Sequence, residues 1–129
     1  MKHNIAVIDD DVLVRQALED CVESAGYVVE GFGSAEEFLE SGSTREAACL
    51  IVDVRLPGIT GLELQEKLAG AGNRVPIVFV SAHNNGIRET AIRQGAAGFL
   101  AKPFRRGELL NMIGAAIRRS PGPSAKFDL

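Results

Sequence analysis

A chain of 129 residues with 46% hydrophobic residues, 24% charged residues and a formal net charge of -3 can build one globular domain with its own core, and is neither a disordered nor a fibrous segment. The acidic balance, the absence of Trp and the single Tyr argue against a domain that grips nucleic acid or stacks bases on aromatic platforms. No apolar stretch reaches the ~18 residues of a membrane span, and the start carries no signal-peptide pattern, so a cytoplasmic protein without a membrane partner is expected.

The first strand-type run, Ile5-Ala6-Val7-Ile8, stops at Asp9-Asp10-Asp11. Val14, Ala17, Leu18, Cys21, Val22 and Ala25 then follow the spacing of an amphipathic helix, which Gly26 stops. Tyr27–Phe32 reads as a second strand. Ser34 with Glu37 has capping-box spacing and predicts a short helix through about Ser41. Ala47–Val52 is a third strand, with Asp53 behind it. Pro57-Gly58 marks a turn, after which Leu62, Leu64, Leu68 and Ala69 support a helix. Pro76–Val80 is a fourth strand, with Ser81 just past it. Asn84-Asn85-Gly86 breaks the chain before a helix over Ile87–Gln94. Ala97–Ala101 is a fifth strand, followed by Lys102-Pro103. The last helix runs from Arg106 to Arg118, with Leu109, Leu110, Ile113, Ala116 and Ile117 inward. Residues 120–129 have linker composition, which predicts a flexible tail behind a domain of residues 1–119. Cys21 and Cys49 read as small core residues rather than as a disulfide or reactive thiols.

Strands that alternate with helices predict βαβ units with right-handed crossovers. The expected fold is therefore a single doubly wound α/β domain, with five parallel strands and five helices on both faces of the sheet. Such sheets bind ligands at the carboxyl ends of their strands. Asp9, Asp10, Asp53 and Lys102 should then converge on one edge. Three neighbouring carboxylates repel unless one is protonated or a cation sits among them. Mg²⁺ suits such a site, since it takes one or two carboxylates, waters and phosphate oxygens. An N-cap cluster alone would account for Asp9-Asp10-Asp11, but a helix start does not need Asp53 as well. Beside Mg²⁺, Asp53 can act as a nucleophile toward phosphorus. That transfer depends on positioning and charge neutralisation, to which Lys102 and the Ser81 hydroxyl can contribute.

These residues, in this order, resemble the receiver domain of bacterial two-component response regulators. The matching stretches are Val7-Ile8-Asp9-Asp10-Asp11, Val52-Asp53-Val54-Arg55-Leu56-Pro57-Gly58-Ile59-Thr60-Gly61, Val80-Ser81-Ala82 and Leu100-Ala101-Lys102-Pro103-Phe104. The resemblance covers residues 4 to about 118 and looks closest to the FixJ-like subgroup. It implies a flavodoxin/CheY-like fold with strand order 2-1-3-4-5, and a phosphoprotein switch that catalyses only its own phosphorylation and dephosphorylation. By resemblance, Asp53 accepts the phosphoryl group from a sensor histidine kinase. Mg²⁺ is held by Asp10 and Asp53, by the Arg55 backbone carbonyl, and by Asp9 mainly through water. Lys102 and Ser81 assist the transfer. Ser81 is the switch hydroxyl, and Phe99 stands at the switch-aromatic position, where Tyr is commoner. The Lys102-Pro103 bond is expected to be cis, and Arg55 and His83 occupy positions that tune phosphoryl lifetime.

The resemblance also implies an output face made of the helix over Ile87–Gln94, the fifth strand and the last helix. That face would dimerise or dock a downstream protein, with Arg88, Arg93 and Arg105 as exposed candidates. The sequence reaches no helix-turn-helix module, so a stand-alone receiver is expected ahead of the receiver part of a FixJ-like DNA-binding transcription factor. A phosphatase of the haloacid dehalogenase type would want a second Asp at position 55, where Arg55 stands. A flavodoxin-like cofactor carrier would find three aspartates where its phosphate loop belongs. The remaining alternative is a receiver-like interaction module that is never phosphorylated.

Overall fold

The first, third and fourth strands of this chain are buried on both sides, the second, an edge strand, is partly exposed, and the period-two alternation of side chains divides the molecule into two cores. The computed structural model describes residues 3–82 and 86–119. In chain order they form β1 (Asn4–Ile8), α1 (Val12–Ser24), β2 (Val28–Phe32), α2 (Ala35–Glu40), a 3₁₀ turn (Ser43–Arg45), β3 (Ala47–Asp53), α3 (Gly61–Gly70), β4 (Ile77–Ser81), α4 (Ile87–Arg93), β5 (Gly98–Ala101) and α5 (Arg106–Arg119). His83 and residues 120–129 lie outside the described residues.

Every strand pairing is parallel, and the sheet order is β2-β1-β3-β4-β5. Ala6, Ile8, Leu50, Val52, Ile77, Phe79 and Phe99 share one core with α2, α3 and α4. Ile5, Val7, Cys49, Ile51, Val78, Val80 and Leu100 share the other with α1 and α5. Burial on both faces removes the polar alternation of a half-exposed strand, which is why β1 and β3 contain unbroken apolar runs, whereas the edge strand β2 carries exposed Glu30. Both cysteines are free thiols packed into or against the α1/α5 core. Burial pushes the Cys49 thiol up to about 12, so it stays protonated and inert.

Several boundaries differ from the sequence reading. β2, β4 and β5 each start one residue later, at Val28, Ile77 and Gly98. Pro76 lacks an N–H for the ladder, although its carbonyl still accepts from the Leu50 N–H at 2.9 Å. β3 and β4 instead run one residue further, because Asp53 still pairs with Val80 and Ser81 with Ala101. At α2 only half of the expected capping box forms. The Ser34 hydroxyl accepts from the Glu37 N–H at 3.1 Å, but the Glu37 carboxylate accepts from the N–H of Gly33 rather than Ser34.

Candidate functional site

The strand order reverses between β1 and β3, and the crevice at their carboxyl ends is where such sheets take ligands. Ile8 and Val52 are register partners there, so Asp9 and Asp53 follow side by side. Asp53 pairs with Val80, and Ser81, the next residue of β4, pairs with Ala101 of β5, one residue before Lys102. The ladder continues past the strand ends, with the Asp9 N–H on the Phe32 carbonyl at 3.0 Å and the Lys102 N–H on the Ser81 carbonyl at 2.8 Å. Backbone bonding thus holds the base of the site.

Alternation also decides which side chains meet. Asp9, Asp53 and Lys102 continue the series Ile5-Val7, Cys49-Ile51 and Leu100, which belong to the α1/α5 core. Lys102 Nζ lies 3.7 Å from Asp9 Oδ2 and 3.8 Å from Asp53 Oδ2, within ion-pair range but beyond hydrogen-bond reach. Asp9, Asp10 and Asp53 each offer an oxygen such that the three lie within 4.8 Å of one another. Asp10 is exposed, Asp53 is half-buried, and the Asp9 side chain is 1% exposed.

Asp9 is the most constrained of the three. Its Oδ1 accepts the Asp11 N–H at 2.9 Å, and the Asp11 carboxylate in turn caps α1 through Leu13 N–H and Val14 N–H. Its backbone carbonyl accepts Arg15 Nη1 at 2.8 Å. Asp9 Oδ2 is buried with no hydrogen-bond partner. Burial lifts the Asp9 carboxyl above its ordinary range. The Asp11 hydrogen bond opposes this, the Asp53 charge adds to it, Lys102 opposes it and Asp10 adds to it.

Ser81 and Phe99 have the opposite parity to Asp53. Ser81 is 1% exposed, and Phe99 is buried in the core that also takes Ala91 of α4. The Arg55 N–H donates to Asp53 Oδ1 at 3.0 Å, so the chain turns tightly just past β3. The Lys102-Pro103 bond is cis. Arg88, Arg93 and Arg105 are exposed.

Other contributors were not singled out from sequence. The complete capping box belongs to α3: the Thr60 hydroxyl accepts the Glu63 N–H at 3.1 Å, and the Glu63 carboxylate accepts the Thr60 N–H at 2.9 Å. The Thr-x-x-Glu spacing signals it as clearly as Ser34 and Glu37 do. Gly61, the first residue of α3, lies against the Asp53 backbone, a contact with no local sequence signature.

A doubly wound sheet with an acidic triad and a lysine at its switch point defines a CheY-like α/β domain. The chain belongs to the response regulator receiver domain family, which it matches over residues 5–114. It is 42% identical over 118 residues to the response regulator protein TodT of Pseudomonas putida, covering 91% of this chain and 52% of TodT. With the transcriptional regulatory protein FixJ of Azorhizobium caulinodans it shares 38% over 123 residues, covering 95% of this chain and 56% of FixJ. The solved structure of the response regulator StyR superposes with a TM-score of 0.89 at 36% identity, over 99% of this chain and 65% of that one. The chain spans about half the length of the curated relatives it matches. It is therefore a signalling receiver of the two-component type. Among the described residues no helix is long and apolar enough to cross a membrane.

Proposed function

We propose that this receiver is switched by Mg²⁺-dependent transfer of a phosphoryl group from a sensor histidine kinase to Asp53. The observation that carries the reading is the convergence of Asp9, Asp10 and Asp53 oxygens within 4.8 Å, with Lys102 3.8 Å from Asp53. A set of carboxylates that includes a buried orphan oxygen fits a hard divalent cation. Asp10 and Asp53 would hold Mg²⁺ through carboxylate oxygens, Arg55 through its backbone carbonyl and Asp9 through water. The bound ion supplies positive charge for the phosphoryl oxygens and the acidic side chains.

Asp53 attacks phosphorus as the phosphorus–nitrogen bond to the kinase histidine breaks. The departing imidazole keeps the electron pair and takes up a proton. Lys102 neutralises one phosphoryl oxygen as a point charge, and Ser81 donates its hydroxyl to another. The domain catalyses only this transfer and its own dephosphorylation, so it is a switch and not a turnover enzyme. Phosphorylation adds roughly -1.5 to -2 charge, which draws Ser81 and Lys102 inward and biases a two-state element. Phe99 has no hydroxyl, so packing alone drives its response.

The output face is α4, β5 and α5, where exposed Ile92 lies between Arg88 and Arg93 and suits dimerisation or a downstream protein. The domain proper is read as residues 1–119, the location is cytoplasmic, and the domain itself binds no nucleic acid; the tail expected from the composition of residues 120–129 lies outside the described residues. A second reading is favoured by the roughly doubled length of TodT and FixJ. In it, this receiver controls the DNA-binding part of a FixJ-like transcription factor. A haloacid dehalogenase-type phosphatase is disfavoured, because Arg55 stands where its second carboxylate belongs.

The test is incubation with acetyl phosphate and Mg²⁺, followed by mass spectrometry. One acid-labile phosphoryl adduct is expected at Asp53 and none in Asp53→Asn. Labelling of the Asn variant at the wild-type rate defeats the assignment.

A further inference from the structure

The loop from β3 to α3 carries Arg55 and is tied at both ends, to β4 and to the start of α3. The Val54 N–H reaches the Val80 carbonyl at 3.3 Å, and the Thr60–Glu63 box fixes the start of α3. Its middle, Pro57-Gly58-Ile59, takes a partner from elsewhere in the chain. The Ile59 N–H donates to Glu36 Oε2 at 3.1 Å, across 23 residues of sequence. Glu36 lies in the first turn of α2, next to Ala35, which is buried in the core that also holds Val54 and Leu56 of the loop.

Gly58 makes this contact possible. Its φ is +72°, a conformation side chains rarely adopt, and a Cβ there would overlap Glu36 Oε2. Glu36 Oε1, the other carboxylate oxygen, is buried with no hydrogen-bond partner. An unsatisfied buried oxygen opposes stability, so the Glu36–Ile59 bond is made at a cost that a merely local cap would avoid.

We propose that Glu36 is a positioning residue for the Asp53 site: through Ile59 it holds the Pro57-Gly58-Ile59 turn, and so sets where the Arg55 main chain stands beside Asp53. The inference rests on the phosphoryl-transfer reading, because the Arg55 carbonyl matters only to a ligand held at Asp53. Val54 and Leu56 are each 5% exposed and packed against α2 and α3, so the loop shifts as a packed unit.

The test uses wild type, Glu36→Ala and Glu36→Gln, with thermal unfolding as a check on folding. Hydrogen exchange of the Ile59 amide is read in metal-free protein, and Mg²⁺ affinity is read by calorimetry. Glu36→Ala should speed Ile59 exchange and weaken Mg²⁺ binding by about three- to tenfold, the range for one lost hydrogen bond. Glu36→Gln keeps an acceptor oxygen and should restore both readouts to within about twofold of wild type. If Glu36→Ala does not fold, Glu36→Met keeps the bulk, removes the carboxylate and takes its place. Unchanged Ile59 exchange, or a Gln variant that behaves like Ala, overturns the tether. Faster exchange with unchanged Mg²⁺ affinity overturns the positioning role alone. Failure of wild type to bind Mg²⁺ removes the phosphoryl-transfer reading and this inference with it.

Discussion

A single methyl group at position 61 probes how closely α3 must approach the candidate phosphoacceptor. The Cβ added by Gly61→Ala would fall 2.8 Å from the Asp53 carbonyl oxygen, 3.0 Å from Val54 Cα and 3.1 Å from Phe79 Cε1. Unstrained carbon contacts lie near 3.5–4.0 Å, so something must move by roughly 0.5–1 Å. Two of the three atoms are backbone at the end of β3, where Asp53 pairs with Val80, and the third belongs to the fully buried ring of Phe79. No flexible side-chain end is available to yield. Overpacking of this kind costs about 1–3 kcal/mol. The gain in helix propensity from Gly to Ala, at most ~1 kcal/mol in a helix interior, is smaller at a first helical position and does not cancel it. A net loss of about 1–2 kcal/mol should lower the urea midpoint by roughly 0.5–1 M with an unchanged slope. The same retreat displaces the Asp53 backbone, so Mg²⁺ affinity should fall too. A variant as stable as wild type would show that the close approach is no constraint. A destabilised variant with wild-type Mg²⁺ affinity would separate the α3 contact from the site.

Asp10 is exposed, so Asp10→Ala should leave unfolding unchanged while weakening Mg²⁺ binding; equal calorimetric affinity removes Asp10 from the metal shell. Ser81→Ala should still accept phosphate yet show a blunted shift to dimer or to partner binding in sedimentation; a full response leaves Ser81 without a switch role. The pH dependence follows from Asp9, whose folded carboxyl is raised above the ordinary range of an aspartate, chiefly by burial. The folded state therefore binds that proton more tightly than the unfolded chain. The stability Asp9 contributes is complete below the ordinary aspartate range and is lost as pH rises through the raised folded value. Without metal, Asp9→Asn should gain on wild type between acid and neutral pH in urea unfolding; a flat or reversed difference contradicts the burial argument.

The legible parts of this molecule are those with a local period or a local stop. Ile5-Ala6-Val7-Ile8 and Leu50-Ile51-Val52 announce doubly buried strands, and the acidic residues at their ends announce a charged edge. Helix stripes such as Leu18, Val22 and Ala25 are equally local, and their stop at Gly26 is visible. The Ser34–Glu37 spacing misled in part, because Glu37 turns to Gly33 instead of closing on Ser34. Glu36 and Gly61 were not singled out, since nothing within a few residues of either reports a partner that reaches it from across the fold.

Composition and periodicity by themselves determined a doubly wound α/β domain with Asp9, Asp10, Asp53 and Lys102 at one edge, because burial on two faces forces unbroken apolar runs and ligand chemistry gathers where they stop. Only the tertiary structure decided that Ile8 lies beside Val52, that one Asp9 oxygen closes a turn while the other is buried near Lys102, and that α2 reaches the loop after β3. Register and long-range hydrogen bonds depend on how separate elements are brought together. That information is carried by the packed core as a whole and by no single stretch of chain.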